Sequence, residues 1–341
     1  MALLSEGDGP ALYTTRFDLM GGRAVVRFVD RRGRAAAEAL ARAVEDEARR
    51  VEVKFSRYRE TSVVSAINRD AGRTPVAVDE ETDFLVGAAL DLWKDSHGRF
   101  DPTVGVLRKA WDFKAGRVPA PEEVAALLPL VSGAFVSRRD GTVFLRKAGM
   151  EIDLGGVGKE YAVDRAAAVL READVSSAFV EFAGDVRTVG NRGDGRPWRV
   201  GIAHPRREGR IAFALNIRGD AGIATSGDYE RGFVRDGVRY HHILDATTGW
   251  PARGVASATA VAPTTFEAGR FATLAVLFGP DAGFELLDRT AGVEGALITD
   301  TGELRATTGL ARLASLPALA YPVLERLRRR SLERDTFLLR A

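Results

Sequence analysis

An apolar run ending in a carboxylate, then three glycines, a lysine and the start of a helical repeat, occupies Asp153 to Asp164 (DLGGVGKEYAVD) and constrains the fold more than any other segment. Met150 and Ile152 read as a strand-like lead-in, the glycines let the backbone approach a neighbour or a ligand closely, and Tyr161 to Leu170 recur with helical spacing. Free N–H groups at a helix start, together with Lys159, favour an anion such as a phosphate, whereas Asp153 favours a cation or a polar ring edge. Neither the Walker A spacing nor the Rossmann glycine fingerprint is present. Taken alone, the segment is explained equally well by glycines needed only for a tight connection.

The rest of the chain supplies enough apolar residues for one large domain or two intimate ones: 45% of its 341 residues are hydrophobic and 28% are charged. The net charge of +2 comes from interspersed acids and bases, which argues against a nucleic-acid footprint. The arginine-rich stretch Leu324 to Arg334 reads as a helix with an apolar leucine face and a solvated arginine face. With no cysteine, the chain has no disulfide, thiolate metal site, cysteine nucleophile or lipid-modified cysteine. No signal-peptide pattern or bilayer-spanning run is visible, so a cytoplasmic location is expected, or a periplasmic one if a leader has been removed.

Periodicity predicts a first strand over Arg16 to Val29, interrupted at Gly21 and Gly22, and a long amphipathic helix over Arg34 to Phe55. A loop with Arg57, Tyr58 and Ser62 follows, then a helix capped by Asp79 and reaching Ser96, with its end marked by Gly98. Pro119 to Leu128 reads as a short helix, and Ala134 to Ile152 as two strands turning at Asp140 and Gly141. Strands are predicted at Ala178 to Phe182, Trp198 to Ala203, Ile211 to Ile217, Gly222 to Thr225, Gly232 to Val234 and Ala256 to Val261, and helices at Phe266 to Phe278 and Ala282 to Leu287. The expected organisation is one intertwined α+β unit over residues 16–315, with a tail at 1–15 and a helical extension at 316–341.

Polar clusters gather at the turns. GIATSGDYERGF holds Thr225, Ser226, Asp228 and Arg231, and YHHILDATTGWPA holds His241, His242, Asp245 and Thr248. The two read as a hairpin whose far strand carries adjacent histidines on opposite faces, so at most one faces any pocket. A role as a polar surface or turn residue suits His241 better than His242. A histidine beside aspartates could act as a base, bind metal or position a phosphate. Zinc spacing is absent, while hard-cation sites remain open around Asp153, Asp185, Asp228 or Asp245.

In order along the chain, SRYRETSVVSAIN (Ser56 to Asn68), GRFDPTVGVL (Gly98 to Leu107), DLGGVGKEYAVD, PWRVGIAHP (Pro197 to Pro205), ATSGDYERGF (Ala224 to Phe233), HHILDATTG (His241 to Gly249) and APTTFEAGRFATLAVLFG (Ala262 to Gly279) closely resemble the ApbE family of FAD:protein FMN transferases. The resemblance implies a T-fold-like α+β fold with FAD in a cleft between two subregions. It implies that Met20, Tyr58, Arg99, Phe100, Asp101, Asp153, Lys159, His242 and Ile243 hold the flavin nucleotide. It further implies a magnesium ion at the pyrophosphate using Gly156 and Thr273, His242 as the base, and a partner flavoprotein whose Ser or Thr hydroxyl accepts FMN with release of AMP.

Several positions depart from the family pattern. The expected aspartate four residues before Thr273 is Gly269, and Glu267 would point elsewhere on a helix. Arg270 could supply compensating charge at the diphosphate. Ala246, Gly22, Glu181 and Ala183 also depart, and Glu160 stands where glycine follows the lysine. The alternative expectation is an FAD-binding protein, a carrier or redox-assembly accessory, with metal-dependent transfer weakened or lost.

Overall fold

The computed structural model describes residues 4–6 and 11–315; the predicted C-terminal helical extension, including its arginine-rich stretch, lies outside them. Nine strands form one antiparallel sheet in the order Leu4–Glu6, Leu12–Leu19, Gly22–Val29, Ala178–Phe182, Asp185–Val189, Ala221–Gly227, Val255–Ala262, Glu294–Thr299 and Leu304–Ala306. The first predicted strand is thus a hairpin that starts inside the stretch read as a tail. Met20 and Gly21 turn it with φ of 50° and 77°, the double left-handed geometry of a type I′ turn. Asp140 and Gly141 do the same, at 49° and 67°, between Val136–Arg139 and Thr142–Leu145.

Alternation along the strands sorts side chains to two faces. Tyr13, Phe17, Ala24, Val26, Phe28, Val180 and Phe182 meet helices Arg34–Phe55 and Gly158–Glu172 on one side. Val186, Ile223 and Val261 meet a small sheet on the other, where Trp198–Ala203 and Ile211–Ile217 contribute Trp198, Val200, Ile202, Phe213 and Leu215. By this parity Asp185 looks toward the helices, as Val189 does. The long helix buries Ala37, Leu40, Ala41, Val44, Ala48 and Val51, as its spacing predicts. The loop expected at Ser62 contains a short helix, Val63–Arg69, capped by the Ser62 side chain, which accepts from the Ser65 N–H.

Helix Thr265–Phe278 runs along strand Ala221–Gly227 at close range because the strand offers it only Gly222, Ala224 and Ser226, and the helix answers with Ala268, Gly269, Ala272 and Ala275. A Cβ added at Gly222 would lie 2.1 Å from the Thr264 carbonyl carbon and the Thr265 nitrogen. The obstacle is backbone, so Gly222→Ala is expected to destabilise the protein by roughly 3 kcal/mol, the upper end for overpacking. A denaturation midpoint equal to that of the wild type would refute this account of the packing.

The start of that helix is fixed by a residue outside the predicted site. Asp164, on helix Gly158–Glu172, accepts the N–H of Thr265 at 3.0 Å and of Phe266 at 2.9 Å. A carboxylate at a helix N-terminus satisfies orphan donors and complements the dipole. This contact sets the register of the two helices: one turn back from Asp164 stands Glu160, and one turn on from Thr265 stands Gly269.

Candidate active site

Segments distant in sequence meet around loop Gly98–Thr103. The loop is held on three sides. The Ala246 N–H donates to the Arg99 carbonyl at 2.9 Å, Arg99 Nη1 donates to the Leu277 carbonyl at 3.0 Å, and the Asp153 N–H donates to the Pro102 carbonyl at 2.7 Å. The Phe100 ring packs over Gly156, where an added Cβ would come within 2.8 Å of it. Asp101 is buried, and both of its oxygens are used inside the protein: Oδ1 accepts from the Thr103 N–H (2.8 Å) and Oγ1 (2.6 Å), and Oδ2 from the Gly133 N–H (2.7 Å). Its carboxylate therefore shapes the loop rather than offering itself to a ligand, and burial raises its pKa.

Asp153 makes a 3.0 Å ion pair with Arg57 and accepts the Gly155 N–H at 2.8 Å. The Arg57 guanidinium lies 5.0 Å from the centre of the Tyr58 ring, and that ring is 76% exposed, available for stacking on a flat ligand. Met20 is anchored through its N–H to Glu52 Oε1 at 2.7 Å. Ile243 lines the same apolar cluster as Phe100 and Phe271.

The glycine-rich turn is less open to an anion than its sequence suggests. The Val157 and Gly158 N–H groups donate to the Leu154 carbonyl, at 3.0 and 2.7 Å. Lys159 Nζ lies 2.8 Å from Asp185 Oδ2 in an ion pair. Of the four aspartates that left a cation site open, Asp228 is engaged by Arg206 in a two-pronged pair at 2.6 and 2.7 Å, and Asp245 is engaged by Thr247 and Arg99. Asp153 is held as described above. Asp185 is different, because beside it stands Glu160, buried, with Oε2 lacking any hydrogen-bond partner. Burial first, and the neighbouring Asp185 charge second, push the Glu160 pKa well above the carboxylate range. Burial also raises Asp185, with Lys159 opposing.

The histidines separate, but strand Val238–His241 ends before His242, and His241 is a core residue and not a surface one. Its Nε2 sits 2.8 Å from the Ala252 carbonyl, and the side chain is buried. His242 reaches the surface with Nδ1 3.3 Å from the Arg231 carbonyl. A carbonyl can only accept, so Nδ1 carries the proton and the Nε2 lone pair is free. Surrounding protein desolvates the ring, and the charges of His241 and Arg231 add to this, driving its pKa down to about 4. The imidazole is neutral at pH 7.

Arg270, one candidate for compensating charge at a diphosphate, pairs instead with Asp95 at the end of helix Glu80–Asp95. Glu267 is held by Thr264 at the helix cap. Thr273 Oγ1 stands 3.0 Å from Ser226 Oγ, one turn beyond Gly269.

The ApbE family profile matches residues 20–297. The chain belongs to the ApbE family. An FAD:protein FMN transferase of Treponema pallidum is 34% identical over 278 residues, 76% of either chain, and one of Vibrio cholerae is 30% identical over 274 residues, 79% of this chain and 82% of the relative. Among solved structures, the ApbE protein of Thermotoga maritima superposes with a TM-score of 0.81 at 33% identity, covering 89% of this chain and 99% of that one. The flavin transferase ApbE of Vibrio cholerae gives 0.79 at 28% identity, with the same coverage. The ApbE matches confirm the α+β fold that the ordered motifs imply.

Whether this ApbE site fits a divalent cation is answered by its donors. Among the described residues no three His, Cys, Asp or Glu side chains stand together as a preformed cage. The orphaned Glu160 oxygen, the adjacent Asp185 and the Thr273 hydroxyl are nonetheless hard oxygen donors. Magnesium is commonly held by one or two carboxylates with substrate phosphates completing its shell, and the site fits that pattern.

Proposed function

We propose that this chain is an FAD:protein FMN transferase that passes FMN from FAD to a Ser or Thr hydroxyl of a partner flavoprotein and releases AMP. The observation that carries the reading is His242: a neutral, surface-reaching imidazole with a free Nε2, within electrostatic reach of Lys159 and beside the loops that match the family. Tyr58, Phe100 and Ile243 supply flat and apolar surface for the flavin, with Met20 at the edge. Asp153 and the backbone of Arg99, Phe100 and Asp101 supply polar contacts, and Lys159 supplies positive charge near the phosphates. Gly156 and Thr273, with the carboxylates beside them, would hold magnesium, which neutralises charge on a pyrophosphate when bound.

In the reaction the acceptor oxygen bonds to the FMN phosphorus, the bridging P–O bond breaks with AMP leaving, and His242 Nε2 takes the hydroxyl proton. Such phosphoryl transfer depends mainly on alignment and charge neutralisation. No described helix is long and apolar enough to cross a membrane.

Incubation with FAD, magnesium and a domain bearing a family acceptor sequence is expected to add the mass of FMN to that domain and release AMP. FAD retained intact, with no adduct under any divalent cation, would instead establish the flavin-binding alternative that Gly269 motivates.

A further inference from the structure

Two departures from the family pattern, far apart in sequence, meet in the fold. A Cβ built on Gly269 would lie 2.4 Å from Glu160 Cγ and 2.8 Å from Glu160 Oε1. The Glu160 side chain therefore fills the space that a side chain at position 269 would need. The register that brings them together is set by Asp164, one turn from Glu160, capping the helix that contains Gly269. Glu160 is 7% exposed and its Oε2 has no partner, while the carboxylate beside it, Asp185, is 1% exposed and has Lys159 as its countercharge. A buried carboxylate oxygen with nothing bound to it is costly, and two such groups side by side need a proton or a cation between them.

We propose that Glu160 supplies, from helix Gly158–Glu172, the anionic cation ligand that Gly269 cannot supply from helix Thr265–Phe278, so that the two substitutions are one relocation of a carboxylate and the site binds a divalent cation. This deepens the functional reading above and rests on it. Gly269 is then required by Glu160, since any larger residue would collide with it, and Glu160 is required by Gly269.

The test is Mn²⁺ binding to the FAD-loaded full-length protein, read from the loss of the free-ion electron paramagnetic resonance signal, with circular dichroism and melting temperature as controls for folding. Glu160→Gln preserves shape and removes charge. It should weaken Mn²⁺ binding at least as much as loss of an outer-shell partner does, roughly 10–100-fold. Gly269→Asp alone should lower the melting temperature, because it drives a third carboxyl into occupied space. The double variant Glu160→Gly with Gly269→Asp should recover Mn²⁺ affinity to within a few fold of the wild type. The proposal is overturned if folded Glu160→Gln binds Mn²⁺ like the wild type, if the double variant fails to recover affinity while remaining folded, or if the wild type itself binds none. Mn²⁺ binding through Glu160 without FMN transfer to any acceptor would instead count against the transferase reading and leave the ligand assignment standing.

Discussion

Replacing His242 with asparagine is expected to slow FMN transfer by roughly 10²–10⁴-fold, the range for losing a positioned general base, with FAD affinity and melting temperature close to those of the wild type. Asparagine retains an N–H near the place of Nδ1 and can still donate to the Arg231 carbonyl, so the loop keeps its anchor. What it lacks is the Nε2 lone pair. Single-turnover transfer followed by intact-protein mass spectrometry gives the rate, and a variant that transfers as fast as the wild type would remove His242 from the chemistry.

The same residue makes a prediction in pH. Its ordinary value of 6.5 is driven down to about 4 in the folded protein. The acid limb of kcat/KM should therefore fall near pH 4, with no loss of base through pH 6.5. Between those values the unfolded chain binds the proton and the folded chain does not, so His242 makes stability rise with pH there and fall as pH drops from 6.5 toward 4. His241 is shifted the same way by burial. Asparagine at 242 should flatten that part of the stability profile and leave the contribution of His241.

Local structure with a strong period or a special turn is legible in this sequence. The Arg34–Phe55 helix announces itself through its apolar stripe, and Asp140–Gly141 through turn chemistry. Strand Asp185–Val189 is not legible, because all five of its positions are buried although three are Asp, Arg and Thr, so it shows no polar-out alternation. Helix Val63–Arg69 is too short to display a period, and only its Ser62 cap could have marked it. The flavin-site candidates were found through ordered motifs, and the structure brings Arg99, Phe100, Asp153 and Gly156 into one set of contacts. Arg270 shows the limit of that approach, since the partners of a side chain are set by tertiary contacts that a motif does not encode. Glu160 and Gly269 show it more sharply. Each looks like a separate loss in the sequence, and only the packing of two helices reveals that one fills the place of the other.

The same cluster carries the second large effect. Lys159→Met should destabilise the protein at pH 8 by roughly 3 kcal/mol, the low end for breaking a buried ion pair, because the Lys159 side chain keeps 29% exposure while the Asp185 side chain keeps 2%. Removing the ammonium leaves Asp185 and Glu160 buried beside each other without a positive neighbour. Both already sit above their ordinary values of 3.8 and 4.5, and the variant raises them further. In the window from those ordinary values up to the raised ones, the folded state holds protons that the unfolded state has released, so the variant loses stability as pH rises. Below about pH 3 the carboxyls are protonated in both states, and the difference from the wild type should shrink. Urea denaturation at about pH 3 and pH 8 measures both ends. A destabilisation equal at the two pH values would mean that Lys159 acts through packing alone and does not neutralise the carboxylate pair. A penalty confined to high pH would identify it as the countercharge that lets the two acids stay buried side by side.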